Sequence, residues 1–324
     1  MSLRIRPFTE PDYPAIVEIE NRVYPEYPHT VEEARYWDGM REPKCRFQRY
    51  VADQLGRIMA FGDYNQHPWT YHPQKFDLHV SVDPVYQKQG IGSALYEHLL
   101  AQLQPFDPIT VRARAREDYQ QSMRFLSQRG FVEVMRNWES RLNVHSFDFA
   151  PYEGHVERVE TQGIRLTPLS ELTDDPDYTH KLYELEKELG KDVPHVDVYT
   201  PVSYEVYVKR FLQSPDLFPQ AWYIALDEDR YAGTSALWKS QGNPKELYTG
   251  LTGVRREYRR RGIALAIKLK TLAFAKSQGY HVIKTWNESN NRPMLSINEQ
   301  LGYIKQPAWI TLAKELKDAS PHST

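Results

Sequence analysis

The apolar positions of this chain follow two periods, and those periods alternate in the same order twice. In each half an opening strand, around 3–7 or 163–167, precedes two stretches of helical spacing, 11–23 and 30–40 in the first half and 176–189 and 202–213 in the second. Two runs of strand spacing follow across a short turn, 49–53 with 57–64 and 221–226 with 231–238. A further strand, 76–82 or 247–254, leads through a glycine loop into a helix. The apolar face of that helix is set by Ile91, Leu95, Leu99 and Leu103, or by Ile263, Ile267 and Phe274. A strand at 109–115 or 281–286, a helix closed by Gly130 or Gly302, and a last strand complete each half. Residues 145–163, polar and interrupted by Pro151 and Gly154, show no period. The pattern predicts an α/β fold with a mixed α+β sheet, built as a tandem repeat. Its N-terminal domain would cover 1–146, a linker 147–162, and its C-terminal domain 163–324.

The register of the repeat supports this division. Gly90 and Gly262 stand 172 residues apart, and so do Gly130-Phe131 and Gly302-Tyr303. Upstream, Arg6-Pro7-Phe8-Thr9-Glu10 resembles Thr167-Pro168-Leu169-Ser170-Glu171 at a spacing of 161, so insertions before the loop absorb the difference.

The two glycine loops carry the chemistry. Val82-Asp83-Pro84-Val85-Tyr86-Gln87-Lys88-Gln89-Gly90-Ile91-Gly92-Ser93 aligns without a gap on Val254-Arg255-Arg256-Glu257-Tyr258-Arg259-Arg260-Arg261-Gly262-Ile263-Ala264-Leu265. At the start of a helix the first N–H groups lack internal partners and face the positive end of the macrodipole, and glycine lets an anion approach. A diphosphate is held by converging N–H donors worth about 1.5–3 kcal/mol each. Lys88, Arg255, Arg256, Arg259, Arg260 and Arg261 stand ready for further phosphates, with a solvated basic face as the alternative reading.

Composition narrows the rest. A length of 324 residues suits two domains, and 40% hydrophobic with 26% charged residues is ordinary for a soluble protein. A formal net charge of −2 argues against a nucleic-acid partner, since the basic cluster at 255–261 is local. The single Cys45 excludes an intramolecular disulfide, no metal site is expected, and no apolar run is long enough for a signal peptide or a membrane span. These features together predict a cytoplasmic protein without a membrane partner.

The patterns Gln87-x-x-Gly90-x-Gly92 and Arg259-x-x-Gly262-x-Ala264, each between a strand and a helix, resemble the acyl-CoA loop of the GCN5-related N-acetyltransferases. Later helices that close on Arg129-Gly130-Phe131 and Leu301-Gly302-Tyr303 extend the resemblance over nearly the whole chain. It looks like a tandem member of that superfamily, in the layout of mycothiol synthases. The resemblance implies fourth and fifth strands that splay apart to admit pantetheine, with acetyl-CoA as cofactor. The residues implied at the cofactor are Val82, Gln87, Lys88, Gln89, Gly90, Ile91, Gly92 and Ser93 in one half. In the other they are Val254, Arg259, Arg260, Arg261, Gly262, Ile263 and Ala264, joined by Asn287 and Asn291.

The second half holds Trp286-Asn287-Glu288-Ser289-Asn290-Asn291 and then Asn298, where the first half has Ala115, Tyr119 and Leu126 at the positions of Asn287, Asn291 and Asn298. Amides suit the pantetheine and the thioester, and the chemistry is therefore expected in the C-terminal half, with helix capping as the alternative role for Asn287 and Asn291. Many family members use a tyrosine four residues before the Gly-Phe/Tyr pair as the acid that reprotonates the thiolate. Those positions here are Asn298 and Leu126, so the acid stays unassigned. Glu246 is a candidate base, beside Glu288, Asp77 and His79. Asp192 and Asp197 are candidate receptors for a cationic acceptor, and the aromatic stretch 24–29 occupies the corresponding place in the first half. The expected function is direct transfer of an acetyl group to a primary amine of a small molecule in a ternary complex, by a monomer or homodimer. The alternatives are a non-catalytic acyl-CoA sensor, another acyl group, or a hydroxyl acceptor.

Overall fold

The computed structural model describes residues 3–317. In chain order the first half runs β1 (Arg4–Pro7), α1 (Tyr13–Val23), α2 (Val31–Gly39), β2 (Phe47–Gln54), β3 (Arg57–Asn65), β4 (Lys75–Val82), α3 (Ile91–Leu103), β5 (Thr110–Arg116), α4 (Gln120–Ser127) and β6 (Val132–Asn143). There follow α5 (His155–Glu160), β7 (Ile164–Pro168), α6 (Tyr178–Gly190), α7 (Tyr204–Tyr207, continued by a π-turn at Val208–Leu212), β8 (Trp222–Asp227), β9 (Arg230–Lys239) and β10 (Glu246–Val254). The chain ends in α8 (Ile263–Ser277), β11 (Val282–Glu288), α9 (Arg292–Gln300), β12 (Ile304–Lys305) and β13 (Trp309–Glu315). The predicted elements are present within a few residues of their expected ends.

These elements form two compact units. The first takes the chain to Arg136, the short piece Val196–Thr200, and the chain from Ala308. Its sheet has the order β1-β2-β3-β4-β5-β13. The second takes Asn137–His195 and Pro201–Pro307, with the order β7-β8-β9-β10-β11-β6. Each sheet is antiparallel except where the strand before the glycine loop meets the strand after its helix, at β4 with β5 and at β10 with β11. A helix joins those two strands, as a parallel neighbour requires.

The predicted boundaries at 146 and 163 differ from this in three places. The last strand of each half was expected to stay with its own half, but from Asn137 onward β6 pairs with β11, and β13 pairs with β5 along seven residues. Hydrophobic alternation marks a strand without naming its neighbour. The expected linker contains α5, whose Val159 is 1% exposed and packs with Ile164, Ile263 and Ala266. The piece 196–200 belongs to the first unit because Asp197 pairs with Lys75 at 2.6 Å and with Arg112 at 2.7 Å.

In the first unit Ile16 and Ile19 of α1 pack on Val51 and Phe61 of the sheet. In the second, Ile263, Ala266 and Ile267 of α8 pack on Ile164, Ala225 and Ala232. Both glycine loops adopt one backbone: φ is +62° at Lys88 and +63° at Arg260, then +83° at Gly90 and +81° at Gly262. At Gly62, in the middle of β3, an added Cβ would stand 2.8 Å from the His79 carbonyl oxygen of β4. Gly62→Ala is expected to destabilise the protein by about 1–3 kcal/mol through overpacking, read as a lower denaturant midpoint.

Candidate active site

In the first unit β4 and β5 pair only at Lys75, Phe76 and Asp77 against Thr110, Val111 and Arg112. Beyond these residues a cavity of about 540 Å³ opens, lined by 78–82 of β4 and 113–115 of β5. Gly92, Ser93 and Tyr96 of α3 close one side, and Ser122, Phe125 and Leu126 of α4 another. At the head of α3, among the described residues, the N–H groups of 87–93 donate to no protein group. The Gln87 side chain braces the loop by donating from Nε2 to the Val82 carbonyl at 3.1 Å. Tyr24 also lines the cavity, and among the described residues its hydroxyl has no hydrogen-bond partner. Burial pushes the Tyr24 phenol up, so it stays protonated.

A second cavity of about 260 Å³ presents four carboxylates, Glu20, Glu33, Asp38 and Asp63, beside Arg41, Arg49, His29 and His79. His79 lines both cavities. It faces Asp63 across the β3–β4 ladder, with Nδ1 3.9 Å from the carboxylate. Its Nε2 lies 3.6 Å from Glu20, whose other oxygen accepts from Ser81 Oγ at 2.9 Å. Burial by itself lowers the imidazole, but the carboxylates of Glu20 and Asp63 outweigh it and push His79 up to about 10. Burial raises both carboxylates, and the imidazolium more than reverses this, holding each below its ordinary range. At His29 the balance goes the other way: burial lowers it by more than Glu20 and a hydrogen bond to the Tyr27 backbone raise it, and it is neutral at pH 7.

The second unit repeats the plan with less room. β10 and β11 pair at Glu246, Leu247 and Tyr248 against Val282, Ile283 and Lys284, and the space beyond is about 190 Å³. Counterparts 172 residues apart explain the difference in size. Gly92 becomes Ala264, Ser93 Leu265, Ala113 Thr285, Ala115 Asn287 and Ser122 Met294, each replacement larger than the original. The arginines of the second loop are also engaged within the protein. Arg255 pairs with Glu188, Arg256 and Arg259 pair with Asp192, and Arg261 donates to Gln162. Arg259 Nε braces Val254 O at 3.0 Å, as Gln87 does in the first loop. The His155 ring meets Gly262 O at 3.1 Å.

Of the sequence candidates, Val82, Gln87, Lys88, Gly90, Gly92 and Ser93 come together on the large cavity, while Ile91 is turned into the core and Gln89 is exposed. Asn287 and Asn291 line the small cavity, but Arg259, Arg260, Arg261, Gly262, Ile263 and Ala264 do not. Asn291 Oδ1 caps α9 by accepting from Met294 N. Asn298 is 2% exposed and donates to Asn287 Oδ1 at 2.7 Å, away from any lining. Glu246 sits where β10 and β11 are still paired and balances the buried Lys284 at 2.6 Å. Asp192 and Asp197 are held by protein cations. Tyr24 and His29 fall in the aromatic stretch 24–29 that the sequence sets at the acceptor's place, without a role for either. Glu20, Asp63 and Ser81 were missed, and of these only Ser81, which shares strand parity with His79, left a signal in the sequence.

The raised His79 sets a pH dependence. A basic group whose folded pKa exceeds its unfolded value of 6.5 contributes stability fully below that value and loses it toward about 10. The lowered Glu20 and Asp63 contribute above the ordinary carboxylate range near pH 4 and lose their share as pH falls through it. Denaturant midpoints are expected to fall between pH 7 and 10, and His79→Gln to flatten that limb.

Three comparisons bear on this geometry. The model of the acetyltransferase (GNAT) family matches residues 13–131 and 180–303. N-alpha-acetyltransferase 30 of Schizosaccharomyces pombe is 28% identical over 104 residues, 32% of this chain and 68% of that protein. A GCN5-related N-acetyltransferase from Sphaerobacter thermophilus shares the fold with a TM-score of 0.71 at 19% identity, covering 98% of this chain and 97% of that one. A tandem GNAT protein from the clavulanic acid biosynthesis pathway does so with a TM-score of 0.75 at 16% identity, covering 98% and 100%. Two family matches, one in each half, fall on the two glycine loops with their separated parallel strands, and the chain belongs to the acetyltransferase (GNAT) family as a tandem member.

Proposed function

We propose that the chain transfers an acetyl group from acetyl-CoA to the primary amine of a small cationic molecule, directly and in a ternary complex, with the chemistry in the N-terminal half. This places the reaction in the half opposite to the one that the asparagine-rich segment suggests. The observation that carries the reading is the 540 Å³ cavity between β4 and β5, which shares His79 with the acidic 260 Å³ cavity. The free N–H groups of 87–93 fit a diphosphate, and the unpaired strand edges of 78–82 and 113–115 fit the amides of pantetheine. When bound, acetyl-CoA supplies a thioester carbonyl open to attack by an amine.

The residues of the chain do the rest. Glu20, Glu33, Asp38 and Asp63 outnumber Arg41, Arg49 and the His79 imidazolium on the smaller cavity, and the net negative charge left after their pairing favours a cationic guest. His29, neutral and on that lining, accepts the proton that the ammonium must lose. His79 is held as an imidazolium between Glu20 and Asp63, so it is unsuited to be the base and instead fixes β4 against α1. Tyr24, protonated and without a partner among the described residues, donates to the departing thiolate.

Equilibrium dialysis is expected to give one acetyl-CoA per chain. Gly92→Leu projects a side chain into the larger cavity, where even a Cβ would lie 3.4 Å from Val82 Cγ2. It is expected to remove that binding and raise KM for acetyl-CoA by about tenfold or more. If binding and turnover survive Gly92→Leu, the chemistry belongs to the C-terminal half. Tyr24→Phe is expected to lower kcat by roughly 10²-fold with little change in KM. Retained binding without turnover of any amine supports the acyl-CoA sensor instead.

A further inference from the structure

The 190 Å³ cavity of the second unit contains a feature that acyl-CoA binding does not explain. Lys268 of α8 lines it and is 2% exposed. Among the described residues its ammonium makes no hydrogen bond and no ion pair, and its recorded neighbour is the Tyr303 ring, 5.1 Å from Nζ to the centroid. A buried charge without a counter-charge is costly, and proteins retain one where something compensates it. The first half has Tyr96 at this position, so the repeat itself does not demand a lysine.

The rest of the lining indicates what would compensate it. Asn287 uses its oxygen to accept from Asn298, and among the described residues its amide nitrogen has no acceptor. Thr285, 3% exposed, adds a hydroxyl that has no hydrogen-bond partner among the described residues. Glu288, the carboxylate on the lining, is satisfied by Ser289 at 2.8 Å and Asn290 N at 2.7 Å and does not pair with Lys268. Val193, Pro194, Leu251 and Met294 supply apolar wall. The lining therefore offers an ammonium and two neutral donors beside apolar wall, with Asn137, Thr249, Thr252, Asn291 and the satisfied Glu288 completing it.

We propose that this cavity is a binding site for a short-chain aliphatic monocarboxylate, with its carboxylate at Lys268, Asn287 and Thr285 and its carbons against Met294 and Pro194. The size fits such a guest and is well below that of the cavity of the first unit. The burial that leaves Lys268 unpaired also lowers its pKa to about 8, so the ammonium is the main form at pH 7 and an anion would raise it again. The proposal rests on the reading that acetyl-CoA is held by the first unit, since acyl-CoA in the second would enter between the same parted strands.

Titration of the full chain with carbonyl-labelled sodium propionate, followed by NMR, is expected to show saturable binding that Lys268→Met abolishes. Without propionate, Lys268→Met is expected to unfold at a higher temperature than the wild type, because the uncompensated charge is gone. At saturating propionate the wild-type Tm should rise by about 2 °C or more and that of Lys268→Met should not. Should that variant fail to fold, Thr285→Val keeps the volume, removes one donor, and is expected to weaken binding about fivefold. Absence of saturable binding, an equal rise with sodium chloride at the same ionic strength, binding that persists in Lys268→Met, or displacement of propionate by acetyl-CoA overturns the proposal.

Discussion

The structure depends on one break in backbone pairing, made twice. Two parallel strands run together for three residues and then part, leaving N–H and C=O groups along both inner edges. A buried backbone group without a partner costs about 1–3 kcal/mol, so such a gap must take in a ligand, water or side chains. The first unit keeps the gap wide with Gly92, Ser93, Ala113, Ala115 and Ser122. The second narrows it with Thr285, Asn287 and Met294. The loop backbone is the same in both, down to a left-handed Lys88 and a left-handed Arg260, so the two units diverge in side-chain volume behind a conserved entrance.

Charge is arranged just as differently. In the first unit His79 sits between Glu20 and Asp63 at the junction of two cavities, where the imidazolium holds both carboxylates ionised and they keep it protonated. In the second unit the charges at the loop cancel one another: Asp192 takes Arg256 and Arg259, and Glu188 takes the part-buried Arg255. Exposed pairs such as those of Asp192 contribute little to stability. Their effect here is to occupy guanidinium groups that the sequence offers to phosphate.

Much of this was legible in the sequence, and the parts that were not share a cause. The repeat, the order of elements and both loops are local patterns, set by periodicity and by glycines that allow one backbone. Which residues meet across space is not local. Asn287, Asn291 and Asn298 appear as a polar set suited to a cofactor, yet one of them caps a helix and another fills the volume that Ala115 leaves open. Glu246 appears as a free carboxylate until the register of β10 on β11 sets it beside Lys284. Glu20 lies in an ordinary amphipathic helix, and only the approach of α1 to β4 turns it toward His79 and Ser81.

The placement of β13 has a consequence for biosynthesis. The sheet of the first unit gains its last strand at Trp309–Glu315, nearly 200 residues after β5 has been made. At roughly 5–20 residues per second, the ribosome needs about 10–40 s to cover that distance. For that time β5 presents an unpaired edge, with Val111 and Ala115 awaiting the chain that will cover them. Completion of the sheet of the first unit is thereby tied to synthesis of residues 309–315, and a chain that stops short of them carries the glycine loop without the finished sheet beneath it.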